Sequence, residues 1–245
     1  MVLEICANSY SSALRAQQAG AHRIELCSNL PVGGTTPSAA TIRLCRRQLQ
    51  IPIHVLIRPR PGDFCYDAED VELIGEDILF CKSEGLDGVV IGGLQPDGQI
   101  DLQATRRWID LARPLSVTFH RAFDKTPDPL RALDQLIELG VDRLLSSGQR
   151  PTAYEGRQLL GKMVERAAGR LEILAGAGLN ANNVAALVQA SGVREVHLSA
   201  RSRCVSRMQY RGNKVRFGGG AVPEEDYYRT DPEVVRQVLA VLETL

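Results

Sequence analysis

Residues 2–27 read VLEICANSYSSALRAQQAGAHRIELC and contain a complete strand–helix–strand unit. Val2-Leu3-Glu4-Ile5-Cys6 and Arg23-Ile24-Glu25-Leu26-Cys27 are apolar-rich runs of strand length. Between them, residues 9–19 carry helical spacing, and Gly20 follows where a left-handed cap favours glycine. Side chains alternate along a strand. Leu3, Ile5, Ile24 and Leu26 therefore take one face, and Glu4, Cys6, Glu25 and Cys27 the other. Aliphatic faces belong against helices, which turns the Glu/Cys faces inward.

The same unit recurs along the chain. Strands are predicted at 53–58, 88–92, 116–120, 143–147, 172–175 and 195–199. Helices are predicted at 39–49, 71–83, 102–112, 130–139, 154–167, 183–190 and 233–242. Strict alternation implies a parallel sheet with helices outside. Eight such units in 245 residues predict an α/β fold, a single-domain (β/α)8 TIM-type barrel over residues 1–245. The doubly wound alternative needs a glycine-rich phosphate turn after its first strand. Ala7-Asn8-Ser9-Tyr10 stands there instead, so no nucleotide cofactor is expected. The one long stretch read as irregular is 200–230, before the last helix. It is basic first (Arg201, Arg203, Arg207, Arg211, Lys214, Arg216), then Gly218-Gly219-Gly220, then Glu224-Glu225-Asp226. A solvated loop, a lid and a subunit or partner contact are the open readings.

Composition narrows the class. Hydrophobic residues at 44% and charged residues at 24% are globular values and argue against disorder. Lys+Arg and Asp+Glu are 29 each, which argues against a nucleic-acid partner. There is no apolar run of about 18 residues, so no membrane span is expected. Met1-Val2-Leu3-Glu4 is no signal-peptide start, and a cytoplasmic protein is expected. The six cysteines, without a CxxC pair, are then reduced thiols.

A barrel of this kind places its chemistry at the C-terminal strand ends. Cys6 and Cys27 end the first two strands. Neighbouring strands run about 4.8 Å apart, so two inward thiols there can approach closely. Paired thiolates suit a soft ion such as Cu(I), and buried cysteines also serve as plain apolar core. Cys45 and Cys81 fall in helical patterns, while Cys65 and Cys204 fall in loops. Inward Glu4 and Glu25 need buried partners, among Arg58, His54, His120, His197 and Arg143. Such a network is structural, or it is an acid/base set of Glu4, Glu25, Arg58 and His120. Gly176 and Gly178 precede Asn180, read as a helix N-cap, and Ser199 and Arg201 follow the eighth strand. Loops after the last two barrel strands often hold phosphate, which makes Gly176, Gly178, Ser199 and Arg201 a candidate anion site. Residues 30–37 and 58–64, rich in glycine and proline, are read as loops covering the same face.

Ile24-Glu25-Leu26-Cys27-Ser28 with Gly33-Gly34-Thr35-Thr36-Pro37-Ser38 resembles the CutC copper-homeostasis family. So do Ile57-Arg58-Pro59-Arg60, Gly62-Asp63-Phe64, Val117-Thr118-Phe119-His120-Arg121-Ala122-Phe123-Asp124 and His197-Leu198-Ser199-Ala200-Arg201. The resemblance spans nearly the whole chain. It implies a cytoplasmic barrel that forms homodimers or higher homo-oligomers, with Cys6 and Cys27 matching by motif position the cysteines proposed as copper ligands. The first expectation is therefore Cu(I) binding by Cys6 and Cys27 for copper homeostasis. The second is an enzyme acting on a small anionic or phosphorylated metabolite.

Overall fold

Leu3, Ile5, Ile24, Leu26, Ile53 and Val55 are all buried and join one continuous core with the apolar stripes of the helices. The computed structural model describes residues 1–210 and 226–245. Strands β1 (Val2–Ala7), β2 (Arg23–Leu26), β3 (Ile53–Leu56), β4 (Gly88–Ile91), β5 (Ser116–Phe119), β6 (Arg143–Ser146), β7 (Glu172–Gly176) and β8 (Glu195–Leu198) form a closed parallel barrel in sequence order. Seven helices alternate with them: α1 (Tyr10–Gln18), α2 (Ala39–Gln48), α3 (Ala68–Ser83), α4 (Leu102–Ala112), α5 (Pro129–Leu139), α6 (Arg157–Ala167) and α7 (Val184–Ser191). The predicted TIM-type barrel is the observed fold.

Local signals set the boundaries. Ser9, Ser38, Asp67, Asp101 and Asp128 each cap a helix by accepting a first-turn amide. Gly140 and Gly192 close α5 and α7 in the left-handed conformation, which costs glycine nothing.

Two sequence expectations are corrected. The stretch 200–230 is not irregular at its ends. Arg201–Cys204 (β9) and Tyr227–Thr230 (β10) pair antiparallel, and α8 (Pro232–Leu242) follows. The arginines that disguised β9 as a loop point outward: Arg201 stacks on Tyr228, and Arg203 pairs with Asp226. The arm is tied down where the Thr230 amide donates to Ser12 Oγ and the Asn8 side-chain amide to the Tyr228 carbonyl. Arg211, Lys214, Arg216, Gly218, Gly219, Gly220, Glu224 and Glu225 lie outside the described residues. Asn180 is not the cap of α7. The helix starts at Val184, and Asn183 uses its side chain on the Asn180 amide and the Gly178 carbonyl. These local bonds compete with helix formation and delay it by a turn. Among the described residues, no helix is long and apolar enough to cross a membrane.

Register positions the interior. Glu4 lies opposite Arg23 on one side and His197 on the other. Glu25 lies opposite Cys6 and His54. A small apolar cluster of Cys6, Cys27, Leu56 and Val90 stands apart from the helix-facing core.

Candidate functional site

The barrel interior is a charged network. Arg23 Nε donates to Glu4 Oε2 at 2.5 Å, and Arg23 Nη2 to Glu195 Oε2 at 2.5 Å. Arg143 Nε donates to the same Glu195 oxygen at 2.6 Å. Burial alone would raise the Glu4 pKa. The His197 hydrogen bond and the charges of Arg23 and His197 more than offset it and hold the carboxyl well below its ordinary range.

The other Glu4 oxygen is 2.7 Å from His197 Nδ1. An ionised carboxylate only accepts, so Nδ1 carries the proton of this bond. The far nitrogen, Nε2, lies 3.8 Å from Glu25 Oε2. Burial works against the imidazolium, but Glu25 and Glu4 outweigh it and raise the His197 pKa. Burial raises that of Glu25.

Cys6 Sγ and Cys27 Sγ are 3.6 Å apart. The Cys27 contact and burial push the Cys6 thiol well above its usual value. Ligand atoms of Cys6, Glu25 and His197 all lie within 4.8 Å of one another. This Cys/Glu/His set, with a second thiol beside it, offers soft sulfur, borderline imidazole and hard carboxylate donors at one point. The carboxylate behind His197 orients the ring, as outer partners of metal-binding histidines do.

Above these residues opens a cavity of about 300 Å³. Cys6, Glu25 and His197 line one part of it; Arg58, Phe64, His120, Gly178 and Ser199 line others. His120 Nδ1 accepts from the Ala122 amide at 3.1 Å. Burial and the Arg58 charge push the His120 pKa down to about 3. The Arg58 guanidinium donates to the carbonyls of Val32, Gly34 and Gly62 and lies over the Phe64 ring.

The family model of the CutC family matches residues 1–202. The chain belongs to the CutC family. A CutC family protein of Chromobacterium violaceum is 46% identical over 242 residues, covering 99% of this chain and 98% of the relative. One from Xanthomonas campestris pv. campestris strain 8004 is 46% identical over 244 residues, covering 100% of both. The crystal structure of CutC from Streptococcus agalactiae superposes with a TM-score of 0.78 at 34% identity, covering 81% of this chain and 98% of the other.

In this CutC-family barrel, Cys6, Glu25, Arg58, His120, Gly178 and Ser199 meet at one cavity. Glu4 sits behind its wall as the partner of Arg23 and His197. Gly176 packs behind it too, since a Cβ there would meet Leu145 at 2.6 Å and His197 at 3.2 Å. Arg201 is spent on Tyr228 and does not reach the lining. Sequence pattern offers His197 only as one buried partner among several and does not single out Arg23 or Glu195. The signal it does carry is the two-residue period of Glu195-Val196-His197-Leu198, which turns Glu195 and His197 to the same face.

Proposed function

We propose that this protein handles Cu(I) as cargo in copper homeostasis, holding it between Cys6 and Cys27 in the cytoplasm, as a homo-oligomer. The observation that carries the reading is the 3.6 Å separation of the two sulfurs, one of which, that of Cys6, belongs to a residue lining the cavity. Sulfur ligands select Cu(I) over harder ions. Cys6 lines the cavity and gives the ion a way in, while Cys27 is fully buried beside it. His197 is the nearby borderline donor, held by Glu4. The relative from Streptococcus agalactiae, named for copper homeostasis, supports the reading by its likeness.

Anaerobic titration of Cu(I) against a competing chelator tests it. The wild type should take one tight equivalent per chain, and the Cys6→Ser/Cys27→Ser variant should lose it. Equal stoichiometry and affinity in the two proteins would sink the reading. Sedimentation of the wild type checks the assembly.

A further inference from the structure

We propose that the cavity is also a binding site for a small metabolite with a carboxylate or phosphate group, whose oxyanion is held by His120 and Arg58. The cysteine pair does not explain this wall. A volume of about 300 Å³ far exceeds what one metal ion fills and lies at the small end of organic-ligand pockets.

His120 provides the first observation. Its Nδ1 accepts the Ala122 amide, so in the neutral ring the proton sits on Nε2. Nε2 is buried and meets no acceptor among the described residues, and the whole residue is 5% exposed. A buried donor left unmet is costly, and it marks the place of an acceptor that the protein itself does not supply.

Arg58 provides the second. It is 4% exposed and lines the same cavity. All the acceptors of its terminal nitrogens are backbone carbonyls, of Val32, Gly34 and Gly62, and its cationic plane rests on Phe64. Among the described residues no carboxylate pairs with it, although Arg23, Arg60, Arg121 and Arg143 all have such partners. Buried charges are ordinarily paired. The acid in the lining, Glu25, is engaged with Cys6 and His197. An uncompensated cation beside an unmet N–H donor calls for an acceptor that carries negative charge.

Gly178 and Ser199 line the same cavity. They extend the oxyanion wall to the loops after β7 and β8. A metabolite anchored there would turn its remaining atoms toward Cys6, Glu25 and His197. The oxyanion wall does not rest on copper binding, and either can fail without the other.

The test uses full-length protein and three probes: inorganic phosphate, acetate and phosphoglycolate. Side-chain nitrogen NMR follows the His120 Nε2 resonance during each titration. At least one probe should saturate in the low millimolar range or below and shift that resonance; phosphate against acetate tells which oxyanion is preferred. His120→Asn keeps an acceptor for the Ala122 amide but removes Nε2, and it should weaken binding at least about tenfold. The titrations use metal-free protein, so their outcome is independent of Cu(I) binding. If no probe saturates, or if His120→Asn binds as tightly as the wild type, the oxyanion site is wrong. The wild-type resonance stands as evidence even if the variant misfolds.

Discussion

His197 Nδ1 stands 2.7 Å from Glu4 Oε1, joining the charged interior of the barrel to the ring that faces the cavity. Glu4 holds this bond and the Arg23 bond at once, with a carboxylate that is 1% exposed. The site's geometry is therefore coupled to the stability of the barrel.

Removing Glu4 should be expensive. Glu4→Ala leaves Arg23 with only Glu195 and deprives His197 of its orienting partner. Breaking a buried pair from one side costs about 3–5 kcal/mol. Urea unfolding of Glu4→Ala against the wild type at pH 7 measures it, and a loss under about 1 kcal/mol would contradict the network described.

Stability should depend on two neutral buried histidines. Burial pushes His54 down to about 4, and burial with the Arg58 charge takes His120 down to about 3. Below the ordinary value of 6.5 the unfolded chain takes up protons that the folded one refuses, so stability falls as the pH drops. The slope is at most about 1.4 kcal/mol per pH unit for each histidine. Glu4, held low, acts in the same direction at more acid pH. His197 and Glu25, both raised, act oppositely, each losing its contribution as the pH rises through its folded value. His120→Asn isolates one histidine. Between pH 6 and pH 4, urea unfolding should show the variant losing less stability than the wild type, and parallel profiles would refute the assignment.

Cu(I) affinity should tighten with pH. The Cys27 contact and burial keep Cys6 a thiol at neutral pH, and binding as thiolate must release its proton. The apparent dissociation constant should then fall about tenfold per pH unit for each proton released. Competition titrations at pH 6.0, 7.0 and 8.0 check this, and a flat profile would mean that Cys6 does not ligate as thiolate.

Thiol labelling should sort the cysteines by depth. Cys65 and Cys204 are half-exposed, while Cys6, Cys27, Cys45 and Cys81 are buried. Burial also pushes Cys45 up to about 11 and Cys81, together with nearby carboxylates, up to about 12. A disulfide reagent applied to the native protein should modify Cys65 and Cys204 promptly, Cys6 more slowly through the cavity it lines, and Cys27, Cys45 and Cys81 only after unfolding. Mass spectrometry of digests assigns them. Rapid labelling of Cys45 or Cys81 would contradict the packing of α2 and α3.

The barrel was legible because its signals are local. A two-residue period in the strands, a helical period between them and glycines or aspartates at the helix ends all act within a few residues of chain. That period also turned Glu4, Cys6, Glu25 and Cys27 inward, and adjacency of the first two strands brought the cysteines together. Ring closure lay beyond such reasoning. Only when β8 pairs with β1 does His197 meet Glu4 across 193 residues of sequence, and Glu195 meet Arg23 across 172. The proposed oxyanion site likewise depends on which ring nitrogen of His120 the Ala122 amide occupies. β9 was missed because its arginines look solvent-bound in sequence, whereas one stacks on Tyr228 and another pairs with Asp226. Sequence alone determined which side chains face inward, since alternation is a property of each strand. Tertiary structure decided which of them touch, since partners are set by register and closure, and hydrogen bonds and charge pairs form only between atoms that those bring within reach.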